Sequence, residues 1–224
     1  MKLTILAATG GIGGHLLRQA LDAGHDVTAV VRSPGRLGSF ADRVRVMGAD
    51  LAAPDAAVLE AAVAGADAVL SGLGARRQRE AGVATTGTAA AVAAMKSTGC
   101  SRIVVVSAAP IGTVPSRARP NPPRYDPGDG FFMRHLGAPL TRTFLARHYA
   151  DLAEMEDVVR DSGLEWTIAR PPRLHDGAPT FAYRTALGQN VRGGFSISRA
   201  DVAHAMLTCL DDPRTIRQVV AMAS

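Results

Sequence analysis

The chain has 224 residues, 47% of them hydrophobic, which is enough for one full core and too apolar for a disordered segment. Its formal charge of +5 is carried almost wholly by arginine, the only lysines being Lys2 and Lys96. These arginines are dispersed and aromatics make up 4% of the chain, which argues against a nucleic-acid surface and for charge that partly serves an anionic cofactor. No apolar run approaches the roughly 18 residues that span a bilayer. Cys100, Cys209 and six scattered histidines lack metal-ligand spacing. A reducing cytoplasmic setting, without membrane, metal or nucleic acid, is expected.

Leu3 to Ala8 is an apolar run that meets Gly10-Gly11-Ile12-Gly13-Gly14, and Leu16-Leu17 then open a helical pattern. The early glycines make Met1 to Ala8 a first strand and not a signal peptide. A strand, a glycine turn and a helix in that order cradle a dinucleotide pyrophosphate. Glycine lets the backbone approach the phosphates, and the helix aims free N–H groups at them. Aligned on Gly10 and Gly13, Ala7 replaces the first glycine of the usual fingerprint.

Asp26 to Val31 follows as a second strand and completes a β-α-β unit. Further strands are predicted at Arg43–Met47, Asp67–Ser71 and Ser101–Ser107, with helices at Pro54–Ala64 and Gly82–Thr98 between them. Strands without a polar face, alternating with helices, predict an α/β fold: a doubly wound parallel sheet of the Rossmann type, one domain over residues 1–224.

From Pro110 to Leu140 the pattern changes, with Pro115, Pro120, Pro122, Pro123, Pro127 and Pro139 breaking all periodicity. This proline-rich insertion after the fifth strand, residues 110–140, is expected to be a loop on the substrate side. Phe131 and Phe132 within it are substrate-wall candidates, with a buried anchor as the alternative. A helix is predicted over Leu145–Ser162 and a sixth strand over Leu164–Arg170, stopped by Pro171-Pro172. Ser198 and Asp201 form a capping-box pattern before a helix running through Leu210, and Arg217–Met222 is a last strand.

An NAD-binding fold usually places an acid at the end of its second strand for the ribose 2′-hydroxyl. Here that place reads Val31-Arg32-Ser33-Pro34-Gly35-Arg36. Arg32, Ser33 and Arg36 suit a 2′-phosphate, so NADP(H) is the expected cofactor.

The runs Ala8-Thr9-Gly10-Gly11-Ile12-Gly13, Val30-Val31-Arg32-Ser33, Asp50-Leu51, Ser162 to Ile168 and Arg170-Pro171-Pro172 resemble the atypical short-chain dehydrogenase/reductases. Within them the chain is most similar to the NAD(P)H-binding branch that contains flavin reductase (biliverdin reductase B) and the NmrA-like proteins. The resemblance spans almost the whole chain and weakens in the insertion. It implies that Thr9 to Ile12, with Gly13, hold the pyrophosphate and that Arg32, Ser33 and Arg36 hold the 2′-phosphate. It further implies that Asp50 and Leu51 flank the adenine and that Leu73, Gly74 and Arg76 line the loop after the fourth strand. Ser107, Ala108, Pro171, Pro172 and Arg173 would lie near the nicotinamide.

Typical members of the wider group use a Tyr-x-x-x-Lys pair, in which lysine lowers the tyrosine pKa. This chain lacks it: the fourth residues after Tyr125, Tyr149 and Tyr183 are Asp129, Ala153 and Leu187. Ser107 and Tyr149 are the catalytic candidates. Tyr149 either acts on the substrate or merely lines the pocket, and His148 is the alternative acid. A missing acid favours conjugated acceptors, whose reduced charge is delocalised. The expected function is an NADPH-dependent reductase passing a hydride to a small molecule such as a flavin, a quinone or a related carbonyl metabolite. The alternatives are an NmrA-like NADP(H)-binding regulator without turnover, and a biosynthetic enzyme acting on one specialised metabolite. The sequence assigns no oligomeric state.

Overall fold

The computed structural model describes residues 1–74, 82–129 and 146–224. The first strand, β1 (Lys2–Leu6), ends at the glycine turn, where α1 (Gly11–Asp22) begins with Gly10 as its cap. Ile12, Leu16, Leu17 and Ala20 form the buried stripe of α1, the spacing of one helical face. β2 (Asp26–Val31) returns parallel to β1. A 3-10 segment, Pro34–Arg43, then delays β3 to Arg45–Gly48, so the third strand starts two residues later than the sequence predicts.

Helix α2 (Ala56–Val63) starts where the Asp55 carboxylate accepts from the Ala57 and Val58 N–H groups, at 2.9 and 3.3 Å, a cap that contributes about 1 kcal/mol. β4 (Ala68–Ser71) and α3 (Val83–Thr98) follow. α3 stops at Gly99, whose φ of 80° lies in the left-handed region. β5 (Arg102–Val106) is wholly buried, as a strand covered on both faces must be. Helix α4 (Ala146–Arg160) and β6 (Glu165–Arg170) come next.

Three short strands escape the sequence pattern: β7 (Arg173–His175), β8 (Arg184–Leu187) and β9 (Ser196–Ser198). Helix α5 (Arg199–Asp211) and β10 (Gln218–Ala223) complete the described chain. The main sheet has the order β3-β2-β1-β4-β5-β6-β10-β8, and β7 pairs with β9 in a separate small sheet. All pairings in the main sheet are parallel except β8 on β10, so the expected parallel sheet carries one antiparallel edge. α1 and α5 pack together on one face, and α2, α3 and α4 on the other, giving the doubly wound sandwich.

The capping box at Ser198 is built differently from its pattern. Asp201 N–H donates to the Ser198 hydroxyl at 2.9 Å, but the Asp201 carboxylate does not return to the Ser198 backbone. It accepts from the Ser198 hydroxyl and from Thr180 and Phe181, which ties the loop after β7 to the start of α5. Among the described residues no helix is long and apolar enough to cross a membrane.

Candidate functional site

Order begins at the turn after β1. Ala7 adopts φ 56°, the left-handed conformation that a glycine adopts without strain, so the turn keeps its shape despite the missing first glycine. Its carbonyl accepts from Gly10 N–H at 2.7 Å. A β-carbon on Gly13 would lie 2.1 Å from that carbonyl oxygen, and one on Gly72 would lie 2.8 Å from the Gly13 nitrogen. Only glycines let α1 sit this close to β1 and to the end of β4. The loop therefore offers bare N–H groups to an anion, as a pyrophosphate cradle requires. Ile12 turns its side chain into the core beside Leu16, so any contribution it makes to this cradle comes from its backbone.

A cleft of about 100 Å³ opens along the carboxyl ends of β1 to β4. It collects Thr9, Gly10, Arg32, Ser33, Arg36, Asp50, Leu51, Leu73 and Gly74 with Ala7, Val30 and Val83. Asp50 is the only carboxylate among these lining residues, and its Oδ1 accepts from Ala52 N–H at 3.1 Å. Leu51 and Leu73 meet over Gly87 of α3, where a β-carbon would lie 3.0 Å and 2.6 Å from their side chains. Arg36 also borders a neighbouring hollow of about 290 Å³ that contains Gly11, Gly14, His15 and Arg18. Arg76 lies outside the described residues.

Beyond β5 and β6 the ladder continues without a break. Ser107 N–H donates to the Ala169 carbonyl at 2.7 Å and Ala109 N–H to the Pro171 carbonyl at 2.9 Å. Ser107, Ala108 and Pro171 thus stand side by side just past the carboxyl ends of these two central strands. Pro172 lines a second cleft of about 100 Å³, with Ala109, Arg170, Asn190 and Phe195. Arg173 is exposed at the start of β7 and lines neither cleft.

The Ser107 hydroxyl donates to Oε1 of Glu156 at 2.7 Å. Glu156 is fully buried and also accepts from Arg170 Nε at 2.8 Å, from Arg170 Nη2, and from Arg160 Nη1 at 2.9 Å. Burial alone would push its carboxyl up, but the Arg170 hydrogen bonds and the charges of Arg170 and Arg160 outweigh it and hold Glu156 below the usual carboxylate range. This acid is not among the site residues expected from the sequence. Its signal is there, since Glu156 stands seven residues after Tyr149, on the apolar face of α4.

Tyr149 is packed in the core with Leu152 and Ala153, and burial pushes its phenol up. His148 faces the end of β4, its Cε1 4.0 Å from a β-carbon on Gly74. Burial lowers its pKa against the opposing charge of Asp151, and among the described residues its buried Nδ1 has no hydrogen-bond partner. Asp151 accepts from Ala84 and Thr85 N–H groups at 3.1 and 3.0 Å, which fixes α4 against the start of α3.

Within the insertion, Ala109–Thr113 is a 3-10 turn. Residues 114–129 lie on α4 and the loop after β8: Arg117 and Ala118 N–H groups reach Glu154 and Asp157, and Asp126 binds Asn190. Phe131, Phe132 and the stretch to Leu140 lie outside the described residues. A further basic side chain, absent from the sequence reading, comes from α5. Arg199 crosses the start of α1, its Cδ and Nε 3.0 Å from a β-carbon on Gly11, while its Nη1 holds Asp176 at 2.7 Å.

Fold and cleft together define a doubly wound protein built to receive a dinucleotide. The profile of the NAD(P)H-binding family matches residues 7–213, and the chain belongs to that family. Solved structures similar over the full chain share the fold. One is a short-chain dehydrogenase/reductase from Veillonella parvula in complex with NADP, 20% identical, TM-score 0.76, with 94% of it covered. Another is an anaerobillin reductase from Escherichia coli O157:H7, 22% identical, TM-score 0.76, with 97% covered. A third is a candidate NADH-flavin reductase from Streptococcus pneumoniae, 23% identical, TM-score 0.72, with 99% covered.

Proposed function

We propose that this protein is an NADP(H)-dependent reductase that passes a hydride to a small conjugated acceptor such as a flavin, a quinone or a related carbonyl metabolite. The observation that carries the cofactor choice is the convergence of Arg32, Ser33 and Arg36 on the cleft that also holds Asp50 and Leu51, with no acid at the end of β2. Arg32 and Arg36 donate to the 2′-phosphate, Ser33 adds a hydroxyl, and Asp50 and Leu51 flank the adenine. The pyrophosphate rests on the turn from Thr9 to Gly13, whose Gly10 N–H is already given to the Ala7 carbonyl. The nicotinamide, when bound, supplies the hydride. Ala108 and Pro171 to Arg173 lie near it, while Leu73 and Gly74 of the loop after β4 line the nucleotide cleft.

Ser107 acts as an acceptor in this reading, because its proton is committed to Glu156. It orients an N–H of the carboxamide. Tyr149 is buried and Ala153 stands where a lysine would activate it, so no strong acid acts on the substrate. An acceptor that delocalises its new charge can take a proton from water, which supports conjugated substrates over isolated ketones. The described part of the 110–140 loop lies against the second cleft, which supports a role on the acceptor side.

The test titrates NADPH and NADH against wild type and Arg32→Glu, then follows nicotinamide absorbance with a panel of flavins, quinones and carbonyls. Losing one charge-assisted hydrogen bond costs about 1.5–3 kcal/mol, so the variant is expected to bind NADPH roughly ten- to a hundredfold more weakly and to favour NADH. Equal wild-type affinities would overturn the cofactor assignment. Tight NADPH binding with no oxidation on the whole panel would replace the reductase with an NADP(H)-binding regulator.

A further inference from the structure

The hollow of about 290 Å³ beside the first cleft lies between α1 and the 3-10 segment Pro34–Arg43. Cleft and hollow share Thr9, Gly10 and Arg36. Arg18 borders the hollow from α1, about two turns beyond the start of that helix. Helical side chains lean toward the N-terminus, which directs Arg18 back along the wall formed by Gly14 and His15. That wall is open: a β-carbon on Gly14 would meet only the Ala8 carbonyl, at 3.8 Å.

No acid lines the hollow. Among the described residues neither the Arg18 nor the Arg36 guanidinium has a hydrogen bond or an ion pair. Asp22 follows Arg18 by one helical turn, a spacing that permits a pair, yet the two do not form one. His15 is held below its usual pKa by burial and then by the charge of Arg18, with Arg199 adding and Asp176 opposing, so the two arginines are the fixed charges of the hollow. Leu17 and Leu37 are buried and Phe40 half-buried in its lining. Such apolar surroundings strengthen the arginine field over its value in open water. Two uncompensated guanidiniums facing one space suit a phosphate, whose charge near neutral pH is about −1.5 to −2.

We propose that this hollow receives the ribose 2′-phosphate of the cofactor, and that Arg18, acting with Arg36, is a further determinant of NADP(H) over NAD(H). This rests on the NADP(H) reading above and adds a residue from outside the turn after β2. The adenosine ribose joins an adenine at Asp50 and Leu51 to a pyrophosphate at the turn after β1. Its 2′ substituent therefore departs near Thr9, Gly10 and Arg36, the residues at which cleft and hollow meet. Arg32 and Ser33 line the cleft alone and Arg18 the hollow alone, so a phosphate at Arg36 is held from both sides. NADH carries only a hydroxyl at that position and gains nothing from Arg18.

The test titrates NADPH and NADH by fluorescence against wild type, Arg18→Ala and Arg18→Lys. Adenosine 2′,5′-bisphosphate and adenosine 5′-monophosphate are titrated by calorimetry alongside, so that the nicotinamide plays no part. Arg18→Ala is expected to weaken NADPH and the bisphosphate about tenfold, the lower end for one charge-assisted hydrogen bond. NADH and the monophosphate should change by less than about twofold, which also reports an intact fold. Arg18→Lys keeps the charge and should recover part of the loss. A wild-type preference for NADPH that Arg18→Ala leaves unchanged overturns the proposal and leaves the cofactor choice to Arg32, Ser33 and Arg36. Equal losses for both cofactors also overturn it, and make Arg18 a contact of their common part. Equal wild-type affinities overturn the NADP(H) assignment, and this proposal with it.

Discussion

Ser107 and Glu156 are joined by a 2.7 Å hydrogen bond in which the serine donates, so the hydroxyl at the end of β5 is anchored to a carboxylate with no solvent exposure. That carboxylate also holds Arg170 of β6 and Arg160 of its own helix. One acid thus sets the relative positions of β5, β6 and α4 at the end of the sheet where chemistry is proposed.

Glu156→Gln is expected to destabilise the protein by about 3–5 kcal/mol, because it leaves buried arginine charge uncompensated. The pH dependence has a definite sign. The folded-state pKa of Glu156 is lowered, so its stabilisation is fully present above the unfolded value of about 4.3 and is lost as pH falls through the folded one. Denaturant unfolding between neutral and acidic pH should show a shallower acid decline in the variant. A variant as stable as wild type at neutral pH would contradict this account.

Ala7 at φ 56° carries a strain that glycine would relieve. Ala7→Gly is expected to raise stability by about 0.5–1 kcal/mol, after the added freedom of the unfolded chain is subtracted. The denaturant midpoint should rise with an unchanged slope. A lower midpoint would mean that the Ala7 methyl contributes packing that outweighs its strain.

Much of the proposed cofactor cleft is legible in sequence because its parts are contiguous motifs. Gly10 to Gly13, Val31 to Arg36 and Asp50-Leu51 each follow a strand, and strands of a parallel sheet all end on one side. The Ser107–Glu156–Arg170 group is not legible in that way. Its members lie just past β5, on α4 and on β6, and only tertiary packing makes them partners. β7 and β9 have three residues each, too few for an alternating pattern to register, and β8 is a mostly exposed edge with no apolar run. Arg199 belongs to this second kind as well, since nothing local links it to Gly11.

Arg199→Ala is expected to weaken NADPH binding about tenfold, the lower end for one charge-assisted hydrogen bond to a pyrophosphate. Asp176→Ala removes the exposed partner that holds Arg199 and should leave affinity unchanged or tighter. Fluorescence titration of both variants at two salt concentrations separates the cases. Unchanged binding in Arg199→Ala would make this arginine a structural tie between α1 and α5.

Tyr149→Phe is expected to cost less than about tenfold in turnover, whereas loss of an acting general acid costs about 10²–10⁴-fold. The phenol is buried and its pKa raised, the wrong direction for proton exchange near neutral pH. A thousandfold loss with intact cofactor affinity would point to His148, whose Nδ1 has no partner among the described residues, as a helper and to simple carbonyls as substrates.

The two clefts divide the polypeptide in time as well as in space. The described lining of the first runs from Ala7 to Val83 and that of the second from Ala109 to Ala223. A ribosome therefore finishes the proposed nucleotide half before it begins the proposed acceptor half, and β5 is the seam. An ancestral gene could vary the second cleft for new chemistry and keep the contacts proposed for the 2′-phosphate and adenine, provided that Ser107, Ala108 and Pro171, just past the seam, were kept beside the nicotinamide. Arg199 is a stitch back across that seam, which such an exchange would have to preserve or replace.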